Sequence, residues 1–96
     1  MARFVLSAKA AADLRDIARY TAEQWGQDQA RLYLDALEAR LSALAETPGA
    51  GRLRPELAEG LRSFPFESHI AFYVEIAGGI AIVRLLHRRR DVEGLF

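Results

Sequence analysis

Apolar positions follow two different periods along this chain, and the change between them divides it. Phe4, Val5 and Leu6 form a short apolar run that stops at Ser7, whose hydroxyl can cap a following helix by accepting a bond from a free backbone amide. From Ala8 to Trp25 the apolar side recurs every three or four residues, at Ala11, Leu14, Ile17 or Ala18, Thr21 and Trp25. Lys9, Asp13, Arg15, Asp16 and Arg19 take the other side, so this segment predicts one amphipathic helix. Gly26 supplies a C-terminal stop, and Asp28 can open the next helix. Ala30, Tyr33, Leu34, Leu37, Leu41 and Leu44 then carry a second helical stripe from about Gln27 to Thr47, broken by Pro48-Gly49-Ala50-Gly51. So short a joint forces the two helices into an antiparallel hairpin, and the small residues Ala36, Ala39 and Ala43 are spaced to let the first helix approach.

Beyond a polar stretch from Gly51 to Gly60 the period becomes two. Leu61 to Phe66 reads as a short strand. His69 to Ile76 alternates, with Ile70, Phe72, Val74 and Ile76 on one face and His69, Ala71, Tyr73 and Glu75 on the other. Ala77-Gly78-Gly79 makes a hairpin turn, and Ile80 to His87 returns as a strand rich in branched residues. Val92 to Phe96 either fold back as a short helix or remain loose, and the pattern does not choose between them. The order β-α-α-β-β-β is an α+β pattern, a helical hairpin packed on one face of a small antiparallel sheet whose other face is open. Strict alternation places Ile82, Arg84 and Leu86 together, and a charge cannot cheaply enter the helix-covered core, so this trio is expected on the open face as a docking surface.

Composition narrows the classes. With 96 residues there is room for a single domain, 1–96, and the balance of half hydrophobic to a quarter charged residues is that of a folded globular chain. The absence of cysteine removes disulfides and thiolate metal sites, and Met1 to Ser7 is too short for a signal peptide or a membrane span, so a cytoplasmic location is expected. Net charge is zero, from 13 basic and 13 acidic residues, which argues against direct sequence-specific nucleic-acid binding and against membrane attraction. The basic residues nonetheless concentrate late, at Arg84, Arg88, Arg89 and Arg90, where they form either a functional patch or a solvated strand end.

Few residues suit catalysis. His69 and His87 are the only histidines, and without cysteine they make no recognisable metal set, so no metal and no cofactor are expected. His87 has the pKa class of a general base but also suits a hydrogen-bonded strand end. Ser7 is accounted for by capping. The Pro48–Gly51 glycines follow a helix and lack the lysine of a phosphate loop. Tyr20 and Trp25 are read as packing residues at the helical joint.

Several stretches, taken in order, resemble ParE toxins of the RelE/ParE type II toxin–antitoxin superfamily. They are Leu6-Ser7, Tyr20-Thr21-Ala22-Glu23-Gln24-Trp25-Gly26, Tyr33 with the Leu37 to Leu44 stripe, Pro48-Gly49-Ala50-Gly51-Arg52 and Arg54-Pro55-Glu56-Leu57. Leu61-Arg62-Ser63-Phe64-Pro65, Ile70-Ala71-Phe72-Tyr73 and Ile82-Val83-Arg84-Leu85-Leu86-His87 with Arg89 and Asp91 complete the series. The resemblance implies a non-enzymatic toxin that poisons DNA gyrase by protein–protein binding and forms a hetero-oligomer with a ParD-like antitoxin whose C-terminal segment wraps it.

On that resemblance, Arg84, His87, Arg88, Arg89 and Arg90 are expected to face the target, and Ile82, Arg84, Leu86 and Tyr73 to face the antitoxin. The superfamily's other branch, the RelE-type ribosome-dependent mRNA endoribonucleases, is the alternative, with Arg62, Arg84, His87 and Arg89 as a reduced site on neighbouring strands. Its usual lysines and C-terminal tyrosine are missing, since the chain's one lysine is Lys9 and no tyrosine follows Tyr73.

Overall fold

Ser7 organises the first third of the chain with one hydroxyl. Its Oγ accepts the Ala10 N–H at 3.0 Å, capping helix α1 (Ala8–Trp25), and donates to the Val83 carbonyl at 2.8 Å, tying that helix start to the last strand. The computed structural model describes residues 2–96; Met1, the start of the N-terminal stretch read above, lies outside the described residues. Ala10, Ile17 and Thr21 form the buried stripe of α1, and the Thr21 hydroxyl is satisfied by the Ile17 carbonyl at 2.7 Å. Gly26, at φ 90°, ends α1 and begins α2 (Gln27–Glu46), so Asp28 lies in the first turn rather than at the cap. Leu37, Leu41 and Leu44 bury the stripe of α2. Ala36, Ala39 and Ala43 are exposed instead, because the two helices meet along the leucine side.

A 3₁₀ turn at Pro48–Ala50 leads into β2 (Arg52–Leu53), β3 (Arg62–Phe66), β4 (His69–Ile76) and β5 (Gly79–His87). With β1 (Arg3–Leu6) they make one five-stranded sheet in the order β1-β5-β4-β3-β2. The sheet is mixed, not antiparallel as expected, because β1 pairs in parallel with β5. The helical hairpin is the crossover that permits this, since a parallel neighbour needs a connection of a dozen or more residues. Gly79 is required where the two strands meet, as a Cβ there would run into the Arg3 carbonyl. The two-residue β2 adds an edge strand that the period alone did not predict.

Both faces of the sheet are covered. On the helix side, Leu37, Leu41, Ala71, Tyr73, Ile80, Ile82 and Leu85 share one core. On the other, Leu61, Phe72 and Leu86 lie under Leu57, Val92, Leu95 and Phe96, with the Phe72 and Phe96 rings 4.9 Å apart. The face expected to be open is therefore closed by the C-terminal tail, which folds back through a turn at Gly94. No described helix is long and apolar enough to cross a membrane.

A register shift in the β4–β5 pair corrects the expected docking trio. Phe72 pairs with Arg84 and Tyr73 with Ile82, so Val83 is an extra residue on β5. Such a bulge breaks strict alternation. Ile82, 0% exposed, belongs to the helix-side core, and Leu86, 2% exposed, to the opposite one, so the two do not share a face.

Candidate binding surfaces

Arg84 is held by Asp13 on α1. The guanidinium donates from Nε to Oδ2 at 2.7 Å and from Nη2 to Oδ1 at 2.9 Å, a two-point fork, and Oδ2 also accepts the Leu85 N–H at 3.0 Å. Both side chains are about seven-eighths buried. Burial alone would raise the Asp13 carboxyl, but the bonds from Arg84 and the Leu85 amide outweigh it and hold it below its ordinary value. The bond to Asp13 in turn raises Arg84. The expectation of a free Arg84 on an open face is thus corrected: its guanidinium reaches Asp13 on α1, and that carboxylate neutralises it. Asp13 was read only as a polar-side residue, because its partner lies 71 positions away.

The expected antitoxin contacts are inaccessible in the chain alone. Ile82 and Tyr73 are each 0% exposed, and Leu86 is sealed by the tail. The Tyr73 hydroxyl donates to the Pro48 carbonyl at 2.7 Å and accepts the Gly51 N–H at 2.8 Å, fixing the loop after α2. An apolar groove of about 450 Å³ does open elsewhere, between the helical hairpin and β1. Phe4, Leu6, Leu14, Leu34 and Leu41 line it, with Arg15 and Glu38 at its rim. Beside it, β1 is an edge strand with β5 as its one strand partner, and Val5 is exposed. An apolar trough next to an unpaired strand edge can receive an amphipathic helix or an added strand. The sequence also allows a docking groove along the exposed sides of the helical hairpin, as an alternative to the sheet face, and the share of β1 in this trough is what the pattern did not indicate.

The basic end, at the C-terminal end of β5, shares no lining residue with that groove. His87 ends β5 and is exposed, and its Nδ1 accepts the Arg89 N–H at 3.2 Å. Arg88, Arg89 and Arg90 are exposed in the following turn; Arg88 reaches only the Glu67 carbonyl, at 3.3 Å, and among the described residues none of the three has a carboxylate within ion-pair distance. His87 sits directly across from His69, with ring centroids 5.6 Å apart. His69 in turn shares a 2.8 Å hydrogen bond with the Tyr33 hydroxyl of α2. Burial, with His87 as a second cause, pushes His69 below its ordinary value and favours the neutral ring. Burial likewise raises the Tyr33 hydroxyl, so it stays protonated.

A groove of about 530 Å³ opens over this histidine pair, walled by Tyr20 and Trp25. These two aromatics are 62% and 71% exposed, so the expectation that they pack the helical joint is corrected: a joint one glycine long leaves no layer above the helix ends to receive them.

The residues of a reduced nuclease site are not brought together. Arg62 is on β3 and Arg84 on β5, with β4 between, so they are not on neighbouring strands. The Arg62 guanidinium donates to the Gly51 carbonyl at 2.8 Å, and Arg84 is committed to Asp13. His87 and Arg89 remain at the exposed end of β5.

Fold and surfaces together describe a small α+β domain with one apolar groove and one groove lined by aromatic and histidine side chains. The family model for the ParE toxin of the type II toxin–antitoxin system parDE matches residues 4–92. The chain is 40% identical over 92 residues to Toxin ParE1 of Mycobacterium tuberculosis, covering 95% of this chain and 94% of the relative. It is 40% identical over 93 residues to Toxin ParE of Escherichia coli, covering 96% and 90%. Among solved structures, a chain of the chromosomal ParDE system from P. aeruginosa superposes with a TM-score of 0.75 at 24% identity, covering 91% of this chain and 96% of that one. The chain belongs to the ParE toxin family of type II toxin–antitoxin systems.

Proposed function

We propose that this ParE-family chain acts in the cytoplasm as an inhibitor of DNA gyrase, by protein–protein binding without catalysis, and that a ParD-like antitoxin silences it. The observation that carries this reading is the ParE family match across residues 4–92. The groove beside β1 supports the antitoxin half. Seating an apolar partner segment over Phe4, Leu14, Leu34 and Leu41 would contribute about 1.5–3 kcal/mol per large side chain fully buried, and the edge of β1 would supply backbone hydrogen bonds. Antitoxin recognition is therefore assigned to this groove, in place of Ile82, Tyr73 and Leu86.

The basic end supports the target half, because Arg88, Arg89 and Arg90 are exposed and, among the described residues, have no carboxylate within ion-pair distance. His87 belongs to the same surface, and Arg84 supports it from inside through Asp13. Ribosome-dependent cleavage is less well supported, since Arg62 and Arg84 are both engaged within the fold. Induced expression in a bacterial host separates the two mechanisms. Gyrase-linked DNA breaks with intact transcripts, relieved by co-expressed antitoxin, are the expected result; cleaved transcripts without DNA breaks would overturn the proposal.

A further inference from the structure

The exposed aromatics at the helical joint have no role in the fold. Trp25, the chain's one tryptophan, and Tyr20 belong to neither core cluster, yet they stand over a groove whose floor is the ordered Tyr33–His69–His87 array. Large, exposed and rigid aromatic side chains beside unpaired arginines are the residue types that dominate binding energy in protein interfaces. Here the aromatics come from α1 and the arginines from the turn after β5, so two separate parts of the chain build one surface.

We infer that this groove is the target-gripping site, and that it takes an acidic protein segment whose apolar or aromatic side chain lodges between Tyr20 and Trp25. The inference rests on the gyrase-inhibitor reading and deepens it by naming the site and the chemistry of the segment. Charge complementarity selects the occupant. Arg88, Arg89 and Arg90 follow directly on His87, which lines the groove, and the Arg88 N–H donates to the carbonyl of Ser68, another lining residue, at 2.9 Å. Among the described residues none of the three has a carboxylate within ion-pair distance, and the one hydrogen bond of the Arg88 guanidinium is to the Glu67 backbone carbonyl, leaving most of its charge for a partner.

A protein segment fits better than a nucleic-acid strand. Three clustered cations on a chain of zero net charge make a point of attraction, whereas a backbone of regularly spaced phosphates needs a positive track along its length. The floor also offers the half-buried His69 ring and the Tyr33 hydroxyl, which suit amide and carboxylate hydrogen bonding. The site is separate from the apolar groove beside β1: one involves the C-terminal end of α1 and the N-terminal end of α2, the other the middle of both helices. Substitution at the joint should leave antitoxin binding intact.

The test has two arms. In the first, immobilised wild-type toxin, Trp25→Ala and the double variant Arg88→Glu/Arg89→Glu are each titrated with purified gyrase, with antitoxin affinity as the control for folding. The expected result is a loss of gyrase affinity of about 30-fold or more in both variants, with antitoxin affinity unchanged. Equal gyrase binding by Trp25→Ala and wild type overturns the inference and leaves the inhibitor reading standing. If wild-type toxin does not bind gyrase, the inhibitor reading falls, and the second arm decides the groove by itself.

That arm follows Trp25 fluorescence on addition of a phenylalanine-containing polyglutamate peptide or of oligo(dT). A saturable shift with the peptide, absent in Arg88→Glu/Arg89→Glu, upholds the site. No shift, or preferential response to oligo(dT), overturns it.

Discussion

Replacing Asp13 with alanine isolates the contact that the structure ranks highest among the charged interactions. The substitution strips Arg84 of its two-point partner while leaving a guanidinium that is only 13% exposed. Breaking a buried pair by removing one member costs about 3–5 kcal/mol, because the survivor keeps its desolvation penalty. The residual exposure lets some water reach Arg84, which lowers that figure, but the Leu85 N–H also loses its acceptor, worth about 1–3 kcal/mol if it is left unmet. A net loss of about 3 kcal/mol follows, or about 12–24 °C in Tm for a domain of this size. Urea unfolding followed by circular dichroism measures it directly. The double variant Asp13→Leu/Arg84→Met should recover the part due to the stranded charge, but not the part due to the Leu85 N–H, which still lacks its acceptor. A loss below about 0.5 kcal/mol in Asp13→Ala would mean that the pair behaves like a solvated surface bridge, and the argument would be refuted.

Other consequences can be checked with the same methods. Tyr73→Phe removes the hydroxyl between Pro48 and Gly51 and should cost about 1–3 kcal/mol, and Gly51→Ala should destabilise too, because its Cβ would meet the Tyr73 ring. Phe96→Ala should cost about 1–2 kcal/mol, less than truncation of a fully buried phenylalanine, and should raise binding of a hydrophobic dye as Phe72 and Leu86 become reachable. His69 sits below its ordinary value of 6.5 in the folded chain, so the unfolded state binds more protons as the pH falls past that value. Stability held above about pH 6.5 should therefore decline toward the depressed folded value, and His69→Phe should flatten that part of the pH profile. The depressed Asp13 carboxyl adds a second loss at lower pH, from its unfolded value of 3.8 down through its folded one, and this should persist in the His69 variant.

What the sequence made legible was local. Ser7 and Gly26 mark the ends of α1, and Pro48 stops α2, because capping and backbone restriction act within a few residues. The alternation of His69 to Ile76 assigned every core-forming residue of β4 to its observed face. Failures came where distant segments meet. The parallel return of β1 beside β5 depends on the hairpin as a crossover, and the extra residue at Val83 depends on cross-strand register; neither leaves a mark on the period of two. From that bulge followed the misplacement of Ile82, while Leu86 keeps its expected face and is buried there by the tail. The pattern left Val92 to Phe96 between a folded-back short helix and a loose end; they fold back without forming a helix and close the face that the pattern left open. Trp25 shows the limit of reading apolar character as burial: it keeps helical spacing with the core residues but lies past the last layer of chain able to cover it.

In the proposed function, the toxin stops gyrase by binding it, and its antitoxin relieves that block. A supercoiling assay with purified gyrase, relaxed plasmid and increasing toxin tests this without a cell around it. The account predicts inhibition that saturates with toxin and is reversed by stoichiometric antitoxin. Unchanged supercoiling at high toxin excess, with no cleaved DNA complex formed, would contradict it.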